Sequence, residues 1–199
     1  MASAAMAAGA VRPVRYTAVA IALHWLIAAG IVVQILMGLA MVNATLALPE
    51  KFKLYQWHKS IGITVLLLVL LRILWRLGHP PPRLPASLPR HERWGAHLAH
   101  LALYAFMLFL PLTGWALVSA SPLNIPTVLY GVVPWPHLPV LSTLPDKAPA
   151  ESVLKILHHW GGWLLIPLVL LHAAAALRHH LFLRDGILWR MLPIVRERP

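Results

Sequence analysis

Leu154-Lys155-Ile156-Leu157-His158-His159-Trp160-Gly161-Gly162-Trp163-Leu164-Leu165-Ile166-Pro167-Leu168-Val169-Leu170-Leu171-His172-Ala173-Ala174-Ala175-Ala176-Leu177 is an apolar run of membrane-crossing length with histidines near both ends. A hydrocarbon core of about 30 Å takes roughly 20 residues of helix. Three further stretches meet that requirement, approximately Thr17–Val42, Tyr55–Leu77 and Gly95–Ser119. Of 199 residues, 59% are hydrophobic and 12% charged, and the mean hydropathy is +0.71. That is more apolar surface than one soluble core of this size encloses, so lipid must be the solvent. The predicted fold is all-α: an integral membrane four-helix bundle over residues 16–180, with an N-terminal tail at 1–15 and a C-terminal tail at 181–199.

Gly78-His79-Pro80-Pro81-Pro82 closes the second span, and a proline-rich connection from about Pro122 to Pro149 separates the third from the fourth. There is one domain and no internal repeat. The first fifteen residues place Arg12 and Arg15 after the small residues rather than before them, and the first span is longer than a signal peptide's apolar region. The first span is therefore expected to stay as a helix.

The net charge of +11 would suggest nucleic acid in a soluble chain, but its distribution reads as topology. All twelve arginines fall at the N-terminus, the connection between spans two and three with its flanks, and the C-terminal tail; all five lysines fall on the other side. After subtracting acidic residues, about +9 lies on the arginine side and about +2 on the lysine side. The positive-inside rule predicts both termini in the cytoplasm, with lipid as the partner and no nucleic acid. Trp25, Trp57, Trp75, Trp94 and Trp160 sit near span ends, as an aromatic belt does.

The sequence contains no cysteine, which excludes disulfides, iron–sulfur clusters and thiolate chemistry. It contains twelve histidines, several of them inside apolar segments, where polar side chains are costly and mark function. His158 and His172 are fourteen residues apart. At 100° and 1.5 Å per residue they share a helix face to within about 40° and stand about 21 Å apart along the axis. His159 points away from that face. Counted from the span ends, His24 lies level with His172 on the arginine side, and His58 lies level with His158 on the lysine side. Two layers of facing imidazoles are how a bundle core builds bis-histidine haem sites, and with no cysteine for covalent attachment the cofactor expected is haem b, two per chain. A single membrane histidine can equally be an interhelical hydrogen-bonding group; four at paired depths weigh against that.

Gly62 and Gly162 each follow an outer histidine by four residues, where a missing side chain would let a macrocycle lie against the helix or simply let helices touch. His97 and His100 on the third span are candidates for an inner ligand, for a quinone or propionate contact, or for an interfacial polar cluster; ligation ranks below the others. Arg72 and Arg76 can either snorkel to headgroups or pair with haem propionates. His79, His91, His137, His179 and His180 read as solvated.

Ala22-Leu23-His24-Trp25, Trp57-His58-Lys59-Ser60-Ile61-Gly62, Leu71-Arg72-Ile73-Leu74-Trp75-Arg76, Leu110-Pro111-Leu112-Thr113-Gly114-Trp115, the run from Leu171 to His180 and Arg190-Met191-Leu192-Pro193 together resemble bacterial cytochrome b561, over nearly the whole chain from Tyr16 to Pro193. The resemblance implies a di-haem cytochrome of the bacterial inner membrane with axial ligands at His24, His58, His158 and His172. It further implies that periplasmic superoxide donates electrons and that ubiquinone accepts them. On that reading Lys53 and Lys59, among the outer lysines, steer the anion inward. The alternative is an electron-transfer module that docks a separate redox protein through the proline-rich loop, whose Trp135-Pro136-His137-Leu138-Pro139 departs from the family pattern.

Overall fold

The computed structural model describes residues 15–85 and 88–193. The N-terminal segment on which the leader reading rests lies outside the described residues, apart from Arg15. Among the described residues four helices are long and apolar enough to cross a membrane: α1 (Ala18–Asn43), α2 (Leu48–Gly78), α3 (Arg90–Ser119) and α5 (Ala148–Arg178), the last continued by a π-helical turn at His179–Leu183. A short helix, α4 (Pro139–Ser142), and a two-stranded antiparallel hairpin, β1 (Thr127–Leu129) and β2 (Val133–Trp135), lie in the connection between α3 and α5.

Three of the long helices begin before the apolar windows do. α2 and α5 each start with a proline at the second helical position, Pro49 and Pro149, where no intrahelical N–H is lost. Their first turns are polar and project beyond the apolar part. α1 is capped by Thr17, whose hydroxyl accepts from Ala20 N at 3.2 Å. α2 ends where Gly78 and the prolines after it stop the ladder.

The helices pack in chain order, α1 along α2, α2 along α3, and α3 along α5; α5 makes no comparable contact with α1 or α2. Ile27, Ile31, Val65, Val69 and Leu165 form the buried apolar centre. Gly30 lets α1 and α2 approach closely, since a Cβ there would stand 2.6 Å from Val65.

The segment after α5 folds back on the start of α1. Tyr16 N donates to Arg190 O, Arg15 to Leu192 O, and Trp25 Nε1 to Met191 O at 2.8 Å. Arg190 also donates to Arg83 O. His179, read from sequence as solvated, is half-buried and held at 2.5 Å by Asp185 across the π-turn. His79 stacks on Trp75 at 3.9 Å.

Candidate functional site: two histidine pairs across the open side of the bundle

On the side of the bundle that carries the α3–α5 connection, His58 of α2 faces His158 of α5 with ring centres 6.2 Å apart. On the side that carries the described chain ends, His24 of α1 faces His172 of α5, again at 6.2 Å. Both pairs bridge α5 and the α1–α2 pair, which meet between the two layers at Leu165 in the buried centre and make fewer contacts than the neighbouring helices do. An iron held between two imidazoles, each nitrogen about 2 Å from the metal and about 1 Å from its own ring centre, sets the ring centres roughly 6 Å apart. The observed spacing fits that arrangement. Among the described residues no cluster of three or more His, Cys, Asp or Glu could hold a bare ion. Two facing imidazoles at this spacing fit a metal that brings its remaining donors with it, as in a haem.

The loop-side pair is built in detail. His158 Nδ1 is 3.1 Å from Leu110 O and 3.2 Å from Thr113 Oγ1, and the Thr113 hydroxyl itself donates to Leu110 O. Donation from Nδ1 to the carbonyl leaves Nε2 with its lone pair free, the tautomer a metal requires. Gly114 permits this approach: a Cβ there would lie 3.0 Å from His158 Cε1. Opposite, His58 Nδ1 is buried without a hydrogen-bond partner, and Gln34 Nε2 donates to His58 O at 2.7 Å. A buried ring nitrogen left unpaired costs of order 1–3 kcal/mol and asks for a reason beyond packing. Gly38 lies beside this ring, its absent Cβ 3.8 Å from His58 Cε1.

The glycines singled out by sequence sit elsewhere. A Cβ on Gly62 would meet Gln34 at 2.9 Å, so its missing side chain makes room for that amide, while Gly162 opens onto space with nothing within 4 Å. Gly38 and Gly114, which touch the rings, were not distinguished. The signal lay in Leu110-Pro111-Leu112-Thr113-Gly114-Trp115, in which the carbonyl, the hydroxyl and the missing side chain that position His158 all occur within one helical turn.

The second pair has a third imidazole beside it. His100 of α3 is 5.5 Å from His172, centre to centre, whereas His97 is exposed and makes no ring contact with the pair among the described residues. α3 and α5 are packed helices, so His100 and His172 meet as neighbours in a closed seam; His24 and His172 meet across the open one. Arg72 ties three helices together here. Its Nε donates to Tyr104 OH on α3 and its Nη1 to Ala20 O on α1, one turn before His24, both at 3.0 Å. Arg76 lies over the Tyr104 ring at 5.4 Å. Nearby, burial raises the Tyr16 phenol above its usual range against the lowering effect of Arg76 and Arg72.

Of the two lysines assigned to steering, Lys53 is exposed near the start of α2. Lys59 is half-buried, and its ammonium donates to Pro126 O at 3.1 Å.

A protein-family model described as prokaryotic cytochrome b561 matches residues 15–193. The chain is 32% identical to cytochrome b561 homolog 2 of Escherichia coli (strain K12), over 90% of this chain and 92% of that one. It is 28% identical to a Yersinia pestis protein named probable superoxide oxidase CybB, over 90% and 96% respectively. It is likewise 28% identical to cytochrome b561 homolog 1 of Escherichia coli (strain K12), over 68% and 73%.

Proposed function

The chain belongs to the prokaryotic cytochrome b561 family and is a multi-pass protein of the bacterial inner membrane, and from that premise we propose that it oxidises superoxide on its loop side and reduces ubiquinone. The observation that carries the proposal is the equal 6.2 Å spacing of two histidine pairs at two depths along one face of α5. His58 and His158 would hold one haem b, and His24 and His172 the other. Each haem, when bound, supplies a one-electron ferric–ferrous couple.

The residues of the chain do the rest. Leu110 O and Thr113 fix the orientation of His158, and Gln34 fixes the backbone at His58. Arg72 and Arg76, with Tyr104, gather positive charge and donors beside His24 and His172, where propionates would need them. His100, exposed and beside His172 in the same layer, would contact a quinone there. In the overall reaction two superoxide anions lose one electron each and leave as dioxygen, while one ubiquinone takes up two electrons and two protons.

The charge asymmetry supports a cytoplasmic arginine-rich side, with the lysine-bearing loop side toward the periplasm. The choice of superoxide as donor is supported by the name given to the Yersinia pestis relative and by the lysines on that side.

The test is turnover by the purified protein with superoxide and ubiquinone as the sole reactants. Lys53→Glu is the cleaner probe of steering, because Lys59 also anchors the loop. We expect Lys53→Glu to slow the reaction about two- to tenfold at low ionic strength and to flatten its salt dependence, with reduction by dithionite unchanged. Wild-type protein that fails to turn over superoxide would instead favour the module that docks a redox protein.

A further inference from the structure

No Asp, Glu, Lys or Arg occurs between Arg93 and Asp146, although the α3–α5 connection would be expected to run through water. The β1–β2 hairpin in this uncharged stretch does not project away from the bundle. Its stem lies beside the first turns of α2, where Gln56 Nε2 and Lys59 Nζ both donate to Pro126 O. Its tip lies deeper: Tyr130 N donates to Ser60 Oγ at 3.0 Å, and Tyr130 OH meets Thr64 Oγ1 at 2.6 Å. Thr64 is about 7 Å further along α2 than Lys59, the last charged side chain at that end of the helix. The hairpin therefore runs beside α2 from the level of Gln56 to that of Ser60, and the Tyr130 phenol reaches one turn further, to Thr64.

β1 turns Thr127 and Leu129 against the helix, while Val132 and Val133 at the tip are 77% and 53% exposed. The backbone N–H groups at the tip are paired internally, as hydrocarbon requires of donors. Tyr130 N is bonded to Ser60, Gly131 N to Val128 O at 3.3 Å, and Val132 N to Leu129 O at 3.0 Å. On the outer strand Pro134 has no N–H to leave unpaired. Tyr130 and Gly131 both take positive φ, 54° and 73°, and the hydrogen bonds of Tyr130 to α2 hold the non-glycine residue in that conformation. His137, the one histidine between α3 and α5, is pushed below the usual histidine range by burial and by the charges of Lys59 and Lys147.

We propose that the β1–β2 hairpin is a membrane-inserted element whose tip, Tyr130 to Val133, is embedded among lipid acyl chains beside α2. The connection then closes the lipid side of the His58 end of α2, and the apolar surface it exposes is committed to the bilayer rather than to a docking protein. The placement is independent of which molecule donates electrons.

The absence of cysteine makes the test direct. Val132→Cys is spin-labelled in the full-length protein in lipid nanodiscs, and its accessibility to oxygen and to a water-soluble nickel chelate is measured. Leu67→Cys, on the exposed apolar face of α2, and Asp146→Cys, at the charged end of the connection, serve as references. The expected result is that Val132→Cys matches Leu67→Cys, with oxygen favoured and the chelate several-fold less effective than at Asp146→Cys. Chelate accessibility equal to that at Asp146→Cys would overturn the proposal by placing the tip in water. Dipolar broadening that vanishes on dilution with unlabelled protein would overturn it by placing the tip against a second copy. Val133→Cys repeats the measurement at the adjacent exposed position.

Discussion

Purified His158→Ala protein is expected to carry half the haem of the wild type, having lost the loop-side haem while keeping the other. His58→Ala should give the same spectrum, because the two rings face each other at 6.2 Å and neither can be replaced by a neighbour at that depth. His159 is adjacent in sequence, but its ring contacts are with Trp160 and Trp163. His24→Ala and His172→Ala should produce the converse loss. The layers are about 21 Å apart along α5, four turns, so one haem cannot bridge them. His100 sharpens the comparison. If His100→Ala removed the second haem while His24→Ala left it in place, the closed α3–α5 seam would be the ligating one and the pairing across the open side would be wrong.

The second large effect is expected from a residue that ligates nothing. Gly114→Leu should abolish the loop-side haem as completely as His158→Ala does, with the other haem intact. The Cβ alone would stand 3.0 Å from His158 Cε1, and the branches beyond it would occupy the space of the ring. His158 could not then keep its bond to Leu110 O. Gly114→Ala needs only a few tenths of an ångström of adjustment and should retain the haem. Gly162→Leu is the control: nothing lies within 4 Å of that position, so the protein itself offers no clash. Haem content measured by absorbance on the three variants separates a cradle around His158 from a general need for small residues.

What could be read from sequence was what depends on one helix at a time. The four spans follow from hydropathy and length, and the shared face of His158 and His172 follows from helical pitch. Depth, counted from span ends, was enough to match His24 with His172 and His58 with His158. What could not be read depends on how helices are rotated against one another. His100 meets His172 only because α3 and α5 pack closely, and no count along α3 gives that. Gly62 and Gly114 look equivalent in sequence, yet one accommodates Gln34 and the other a ligand ring.

The α3–α5 connection was opaque for a different reason. Its prolines read as an open loop, and strands of three residues carry too little alternation to be recognised. The hairpin is held by partners far away in the chain, Ser60 and Thr64, whose hydroxyls on α2 gave no indication of what they bind. The same holds for Lys59, whose charge suggested a role in steering and whose ammonium bonds Pro126 O.

Haem stoichiometry tests the central claim most directly. Pyridine haemochrome analysis of the purified, full-length protein, referenced to protein concentration by amino-acid analysis, is expected to give two haems b per chain, with a low-spin bis-histidine spectrum in both oxidation states. One haem per chain, or none, would contradict the account of two histidine pairs as two cofactor sites.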